Sequence, residues 1–170
     1  MRIALLTAAL TFALDQATKV LVVHGLNLRE RGEIDVIPPF LNFRMAWNYG
    51  INFGLFSGDS SATRWVLIAL SLAISAWVWL WVRRTNPSTL VQVSAGILIG
   101  GALGNVIDRI AYGAVADFLN MSCCGIENPF AFNVADIAIF AGAFGLVLFT
   151  GRPAPAGKPP RRGKRDRKTP

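Results

Sequence analysis

The chain has 170 residues, of which 53% are hydrophobic and only 16% charged, and its formal net charge is +7. A typical soluble domain is about 45–50% apolar and about 25% charged, so this composition argues against a soluble protein and favours a single membrane domain. The entire positive excess lies after Gly151, where eight Lys and Arg residues accompany one acid, Asp166.

Four apolar segments have the length of roughly 20 residues that a helix needs to cross the hydrocarbon core of a bilayer. They cover about residues 3–23, 65–82, 90–110 and 130–150. The first contains Asp15 and Lys19 and exceeds the apolar part of a cleaved signal peptide, so we predict a retained helix. The sequence thus predicts an all-α polytopic membrane protein, with its membrane domain at residues 1–150.

Basic residues predict the orientation of these helices. Cytoplasmic loops are enriched in Lys and Arg, and both Arg83-Arg84 and the tail at 151–170 carry such an excess. Both termini are therefore expected in the cytoplasm, and the connections at 24–64 and 111–129 outside. The tail is predicted to be disordered and attracted to anionic lipid. Nucleic acid is not an expected partner, because no folded reading module accompanies the tail.

A period-two pattern runs through the first external connection. Between Leu41 and Asn48, large apolar residues alternate with smaller or polar ones, as in a half-buried strand. Asn48-Tyr49-Gly50 is a turn signal, and the alternation resumes as far as Leu55. We therefore predict a small β-sheet between the first two helices, at about residues 33–56, on the outer membrane surface. Its apolar face would contact lipid or cover the mouth of the bundle.

Three carboxylates lie near the ends of the third and fourth apolar segments. Asn105-Val-Ile-Asp108 and Asn133-Val-Ala-Asp136 repeat an Asn-x-x-Asp pattern, and Asp117 lies between them. Ionisable groups at membrane depth are energetically expensive and mark candidate functional sites. Two carboxylates held close cannot both ionise readily, so one can activate water while the other protonates a leaving amine. Any two of the three could form that pair.

The other ionisable and metal-binding residues are weaker candidates for a functional site. Asp15 and Lys19 are spaced i, i+4 on one helix face and are interpreted as a structural ion pair. His24 is the only histidine, and the adjacent Cys123 and Cys124 are too few ligands for a zinc site. Chemistry carried by two carboxylates requires no metal and no cofactor, and none is expected. An alternative function is a small proton-coupled transporter, in which buried carboxylates relay protons.

Five blocks of the chain resemble lipoprotein signal peptidase, also called signal peptidase II, in the order and spacing of that family. The blocks are Leu14-Asp15-Gln16-x-x-Lys19, Trp47-Asn48-x-Gly50, Gly100-Gly101-Ala102-Leu103-Gly104-Asn105-x-x-Asp108-Arg109, Val115-Ala116-Asp117-Phe118 and Phe132-Asn133-x-Ala135-Asp136. The resemblance implies four membrane helices with an extracytoplasmic sheet cradle, in the bacterial cytoplasmic (inner) membrane. It also implies an aspartic endopeptidase, active near the outer leaflet, that removes signal peptides from prolipoproteins before a diacylglyceryl-modified cysteine.

Carried over to this chain, the resemblance implies that Asp117 and Asp136 are the catalytic pair. Seven further residues are implied to shape the site or contact the substrate: Asn48, Gly101, Asn105, Asp108, Arg109, Asn133 and Ala135. Asp15 and Lys19 match a pair with a structural or supporting role. The expected partners are diacylglyceryl-modified prolipoproteins and membrane lipid, and the expected state is a monomer. Ile51-Asn52 and Ile137 depart from the residues frequent in the family, which bears on substrate preference.

Overall fold

A computed structural model describes residues 1–50, 61–123 and 128–150. In chain order, its elements are helix α1 (Arg2–Lys19) with a π-helical extension (Val20–Gly25), the short helix α2 (Leu28–Arg31), strands β1 (Glu33–Ile37) and β2 (Leu41–Asn48), helices α3 (Ser61–Thr85) and α4 (Thr89–Tyr112), strand β3 (Val115–Met121) and helix α5 (Val134–Thr150). Helices therefore form most of the described chain.

Three of the described helices are long and apolar enough to cross a membrane. These are α1 with its extension, α3 and α4, which have 24, 25 and 24 residues. The fourth apolar helix, α5, has only 17 residues and begins at Val134 rather than near Phe130. The difference arises because Phe132 exchanges backbone hydrogen bonds with Leu119 of β3, which keeps the preceding segment extended. The protein is thus a mostly helical membrane protein with three long apolar helices.

Helix α4 lies at the centre of the bundle, in contact with α1, α3 and α5. In the 18-residue apolar stretch of α4, 72% is buried inside the protein, whereas the corresponding value is 28% for α1 and for α3. Glycines permit the close contacts: a β-carbon at Gly100 would lie 2.5 Å from the backbone oxygen of Ala8, and one at Gly142 would lie 2.6 Å from the backbone nitrogen of Leu98. Small residues at such crossings let helix backbones approach closely in lipid.

The sheet has three antiparallel strands in the order β1-β2-β3. In its register, Trp47 pairs with Ala116 and Asn48 with Val115. Strands β1 and β2 lie in the connection between the first two helices, where the sequence predicts a small sheet, and the structure adds β3 from the connection between α4 and α5. The fold is therefore mostly helical with a small three-stranded sheet, rather than purely all-α. Most residues of β3 are buried whichever face they occupy, so the strand lacks an alternating pattern. The alternation predicted beyond Gly50 lies outside the described residues.

The apolar face of the sheet covers the end of α1. Phe43 and Trp47 of β2 and Phe118 of β3 pack with the extension of α1 and with Leu28 of α2. Phe43 and Phe118 meet edge to face, with ring centroids 5.9 Å apart. The apolar face was expected either to contact lipid or to cover the mouth of the bundle, and in the structure it packs on the bundle.

We expect Gly100→Ala to lower the thermal stability of the protein. The new β-carbon would meet the Ala8 oxygen at 2.5 Å and Thr11 Cβ at 2.8 Å across the α1–α4 contact, and such overpacking typically costs about 1–3 kcal/mol. The melting temperature of the purified protein in detergent measures the effect. Gly25→Ala is the matched control, because its nearest new contact is 3.6 Å. An equal change in both variants would contradict this account of the α1–α4 contact.

Candidate active site

Two separate elements carry the carboxylates of the predicted pair. Asp117 lies in β3, which begins two residues after Gly113 at the end of α4, and Asp136 lies in the first turn of α5. Gly113 ends α4 with a φ of 82°, a left-handed conformation that favours glycine and turns the chain back toward the bundle. Both carboxylates are buried, with 2% and 5% of their residue surfaces exposed. The fold thus brings into the protein interior two acids that are separated along the chain by the rest of β3 and its connection to α5.

Asn133 connects the two acids. Its side-chain Nδ2 donates to Asp117 Oδ1 at 2.6 Å, and its Oδ1 accepts the backbone N–H of Asp136 at 2.9 Å. In return, Asp136 Oδ2 accepts the backbone N–H of Asn133 at 3.3 Å. Asn133 is therefore the N-cap of α5 and Asp136 its third residue, in the reciprocal arrangement of a capping box. One fully buried amide fixes the position of Asp117 relative to the helix that carries Asp136.

Two further amides donate hydrogen bonds to the pair. Asn48 Nδ2, at the end of β2, donates to Asp117 Oδ2 at 3.1 Å. Asn105 Nδ2, on α4, donates to Asp136 Oδ1 at 2.9 Å. All four carboxylate oxygens therefore accept at least one hydrogen bond from the protein. Such contacts fix the rotamers of both acids before any substrate arrives.

The environment of Asp117 favours its protonated form. Burial, and after it the charge of Asp136, raises the pKa of Asp117 to about 7, while hydrogen bonds from Asn48 and Asn133 and the charge of Lys19 act in the opposite direction. An acid with a pKa near neutrality can hold or release a proton at physiological pH. Because the two carboxylates interact, the protons belong to the pair rather than to either residue.

A cluster of three charges lies behind the pair. Lys19 Nζ is 2.8 Å from Asp15 Oδ2 and 2.7 Å from Asp108 Oδ2. The sequence spacing suggested only the Asp15–Lys19 contact, and the structure adds Asp108 from α4 to the same ammonium. These three residues are 0%, 5% and 1% exposed, in the order Asp15, Lys19, Asp108. Asp108 therefore shares one ammonium with Asp15, in a buried charged contact between α1 and α4.

Arg109 lies on the other side of the pair, where a groove reaches it. Its Nη1 and Nη2 donate to the backbone oxygens of Asn105 and Gly50, at 3.3 and 2.9 Å. The groove is a cavity of about 280 Å³ between α3 and α5, lined by Leu67, Leu70, Ser71, Ile74, Asn105, Arg109, Asp136, Ile139 and Phe140. Its walls are mainly apolar, and Asn105, which donates to Asp136, lines it together with that acid.

Gly101 and Ala135 act through close helix contact. A β-carbon at Gly101 would lie 2.6 Å from the backbone oxygen of Ala135, so the glycine lets α5 approach α4. Ala135 is fully buried, and its backbone N–H donates to Asp15 Oδ1 at 2.9 Å. The described contacts of Gly101 and Ala135 thus join α4 to α5 and α5 to α1.

Sequence reasoning did not include two residues among the site candidates. Gln16 Nε2 donates to Asp15 Oδ2 at 3.1 Å and to Asp108 Oδ1 at 3.2 Å. Gly104 leaves room for the Asp15 carboxylate, because a β-carbon there would collide with it. Gln16 and Gly104 both lie inside the motif blocks, next to residues that were predicted to belong to the site. Their place in those blocks is the feature of the sequence that could have identified them. Cys124, Ile51 and Asn52 lie outside the described residues.

The fold and the site together define the class of protein. A bundle of apolar helices contains a buried pair of hydrogen-bonded carboxylates, and the pKa of one of them lies near neutrality. A pair of acids that share protons near neutral pH is the arrangement of an aspartic hydrolase. This class is a membrane-embedded enzyme of the aspartic type.

Comparison with known proteins identifies the family. Residues 7–151 match the family model described as signal peptidase (SPase) II. The lipoprotein signal peptidase of Methylorubrum extorquens (strain PA1) is 44% identical over 154 residues, which cover 91% of this chain and 88% of that protein. The lipoprotein signal peptidase of Rhodopseudomonas palustris (strain TIE-1) is 37% identical, covering 94% and 98%. The chain belongs to the signal peptidase II family of aspartic peptidases.

Two solved structures have the same fold. Both are described as bacterial membrane enzymes determined by the in meso method, and each superposes with a TM-score of 0.71. One is 28% identical and covers 85% of each chain, and the other is 25% identical and covers 89% of this chain and 94% of its own. The arrangement of helices and sheet is therefore shared with known bacterial membrane enzymes.

We expect Asn48→Ala to move the pH dependence of the enzyme. The substitution removes a hydrogen bond that favours the ionised form of Asp117, so the pKa of that carboxyl should rise above about 7. The limb of the pH profile that reports Asp117 should shift to higher pH, because a higher pH is then needed to remove its proton. The dependence of kcat/KM on pH, measured with a lipopeptide substrate, reports the groups of the free enzyme.

Asn42→Ala is the control for this shift. Asn42 lies on the same strand, and its amide donates to Glu33 at 3.4 Å rather than to either acid. Its pH profile should coincide with that of the unmodified enzyme. A shift to lower pH in Asn48→Ala would contradict the role given to that hydrogen bond.

Proposed function

We propose that Asp117 and Asp136 are the catalytic pair of this signal peptidase, and that it cleaves bacterial prolipoproteins directly before a diacylglyceryl-modified cysteine. The observation that carries the residue assignment is Asn133, which donates to Asp117 and caps the turn that holds Asp136. Asp108, the third candidate, faces Lys19 and the backbone N–H of Ala116 instead. The relatives reported above are named peptidases, and nothing favours the transporter alternative.

In the proposed mechanism, Asp117 and Asp136 share one proton. The ionised acid takes a proton from water, and the oxygen attacks the carbonyl carbon of the scissile peptide bond. The protonated acid gives its proton to the leaving nitrogen of the lipidated cysteine as the carbon–nitrogen bond breaks. The products are a signal-peptide carboxylate and the amino group of the lipidated cysteine, which takes up the second proton of the water as an ammonium. The pair ends the cycle with one proton, as it began.

We assign a role to each neighbouring polar side chain according to whether its hydrogen-bond donors already contact the two acids. Asn105 and Asn133 donate to the two acids, so their role is to orient the pair. Arg109 Nε is buried and has no hydrogen-bond partner among the residues that the structure describes. Because Arg109 and Asp136 line the same groove, we assign Arg109 to the substrate carbonyl, where it would stabilise developing negative charge.

The groove between α3 and α5 supports a lipid-modified substrate. Leu67, Leu70 and Ile74 of α3 and Phe140 of α5 give it apolar walls, with Asp136 at the polar end. We propose that the apolar part of the substrate lies along these walls, so that binding energy remote from the scissile bond orients it. We propose that the active form is a monomer.

We also propose four membrane spans, cytoplasmic termini and an active site near the outer leaflet. The proposed fourth span is α5, whose 17 residues extend about 25 Å, against a hydrocarbon core of about 30 Å. Arg83 and Arg84 end α3 on the cytoplasmic side of this arrangement. The acids lie near the opposite ends of the helices, where α4 ends and α5 begins. The tail at 151–170 is assigned to the cytoplasm by its charge.

Thiol labelling in intact cells tests the orientation. With Cys123 and Cys124 replaced by serine, Asp35→Cys on β1 should react with a membrane-impermeable maleimide, because this exposed position lies outside the membrane in the proposed orientation. Thr85→Cys, at the end of α3, should react only after the membrane is permeabilised. The opposite result for either position would contradict the proposed orientation.

Replacing each acid tests the catalytic assignment. We expect Asp117→Asn and Asp136→Asn each to abolish prolipoprotein processing, because an amide neither takes a proton from water nor gives one to the leaving nitrogen at this pH. Immunoblots of a prolipoprotein, together with cleavage of a purified lipopeptide, measure the loss. Asp35→Asn changes an exposed acid of β1 and should leave processing unchanged. Normal processing by either of the first two variants would rule out the pair.

A further inference from the structure

Lys19 is held between carboxylates that come from two different helices. Its ammonium lies 2.8 Å from Asp15 Oδ2 of α1 and 2.7 Å from Asp108 Oδ2 of α4. We call these three residues the ionic clamp. The clamp has a net charge of −1 when all its groups are ionised, and its members are at most 5% exposed. An ammonium in this position pulls the two carboxylates together against their mutual repulsion.

Each carboxylate of the clamp also holds the backbone next to a catalytic acid. Asp108 Oδ2 accepts the N–H of Ala116 at 3.2 Å, and Ala116 directly precedes Asp117. Asp15 Oδ1 accepts the N–H of Ala135 at 2.9 Å, and Ala135 directly precedes Asp136. The two arms of the clamp therefore end one residue before the two acids. Moving the Asp15 and Asp108 carboxylates apart would move the two backbone segments apart.

We propose that Lys19 is a positioning residue that sets the separation of the Asp117 and Asp136 carboxylates through the two arms of the ionic clamp. The proposal rests on the proposed function, because it assumes that these two acids are the catalytic pair. It gives Lys19 a role beyond the structural pairing with Asp15 that the i, i+4 spacing suggests.

Two neighbours of the clamp act in the same sense. Gln16 Nε2 donates to Asp15 Oδ2 at 3.1 Å and to Asp108 Oδ1 at 3.2 Å, so an amide bridges the same two carboxylates as the ammonium. Lys19 Nζ also donates to Asn105 Oδ1 at 3.3 Å, and Asn105 Nδ2 donates to Asp136. This last contact orients the Asn105 amide so that its nitrogen faces the acid. Lys19 therefore reaches Asp136 by a side-chain route as well as by the backbone route.

The decisive variant is the double substitution Lys19→Met with Asp15→Asn. It keeps the net charge of the clamp at −1, and it leaves an amide oxygen to accept the N–H of Ala135, but it removes the ammonium that joins the two arms. If Lys19 sets the separation, kcat for a lipopeptide should fall on the order of 100-fold, the loss associated with misplacing reacting groups by about 1 Å. The KM should stay close to its original value, because the groove between α3 and α5 is unchanged.

Lys19→Met alone and Lys19→Arg complete the series. Lys19→Met leaves two buried carboxylates without a cation, so it should lower the melting temperature as well as kcat. Lys19→Arg keeps the charge and can contact both carboxylates, so it should recover part of the kcat lost in Lys19→Met. Arg84→Met removes one exposed positive charge far from the clamp and should change neither kcat nor melting temperature.

A binding measurement separates positioning from loss of structure. Each variant is titrated with a lipopeptide whose scissile amide is replaced by a reduced CH2–NH bond, which binds but is not cleaved. The proposal requires the double variant to bind this probe with an unchanged Kd while its kcat falls. A kcat close to that of the unmodified enzyme in the double variant would overturn the proposal, because neutralisation alone would then explain Lys19. A Kd that weakens in proportion to kcat would also overturn it.

The same series distinguishes failure of the clamp from failure of the catalytic pair. If Asp117→Asn or Asp136→Asn retains processing, the pair is wrong and the clamp loses its purpose. If both are inactive while the double variant keeps its kcat, the pair stands and Lys19 is only structural.

Discussion

A shortage of cations around buried carboxylates governs this structure. Among the residues that the structure describes, four buried carboxylates, those of Asp15, Asp108, Asp117 and Asp136, accompany two buried cations, Lys19 and Arg109. Lys19 is in contact with Asp15 and Asp108, and the guanidinium of Arg109 donates to backbone oxygens. Lys19 therefore leaves Asp15 and Asp108 with a net charge of −1, and Arg109, whose charge acts on Asp136 and Asp117, leaves a net charge of −1 on the second pair of acids when both are ionised. A proton held by that second pair neutralises its remaining charge, in agreement with the raised pKa of Asp117. The ionic clamp and the catalytic pair are therefore parts of one electrostatic system.

Close helix contacts make that system possible. Gly101 brings the α4 backbone against the start of α5, and Gly104 leaves space for the Asp15 carboxylate between α1 and α4. With side chains at these positions, the helices would separate and water would reach the charges. Because interactions between charges weaken as the surroundings become more polar, the small residues determine the strength of the electrostatic contacts as well as the packing.

The two Asn-x-x-Asp copies show what sequence alone can and cannot predict. In the second copy, Asn133 immediately precedes α5, and the pattern forms a capping box around Asp136. In the first copy, Asn105 and Asp108 lie inside α4, where Asn105 contacts Asp136 and Asp108 contacts Lys19. The same four-residue pattern therefore has two different structural roles. Only the position of the helix boundary distinguishes them, and helix boundaries are the least certain part of a sequence prediction.

The helices and strands also differ in how far their local sequence predicts them. The apolar length of α1, α3 and α4 is a property of each segment, and the alternation at 41–48 is that of β2, so both could be predicted from composition and period. Strand β3 has no alternation, because residues of both its faces are buried, and its pairing with β2 is a long-range contact. The contact of Lys19 with Asp108 likewise joins different helices, whereas the i, i+4 contact with Asp15 could be read along one helix.

The end of α1 connects the sheet to the catalytic pair. The helix is regular through Lys19 and then widens into a π-helical stretch, which carries Val22 and Val23 onto the apolar face of the sheet. Such stretches within helices are frequent at functional sites. One continuous helix thus supplies the clamp at Asp15 and Lys19 and, one turn later, the support for β2 and β3. Since β2 ends at Asn48 and β3 carries Asp117, a displacement of the sheet would be transmitted to both the acid and its hydrogen-bond donor.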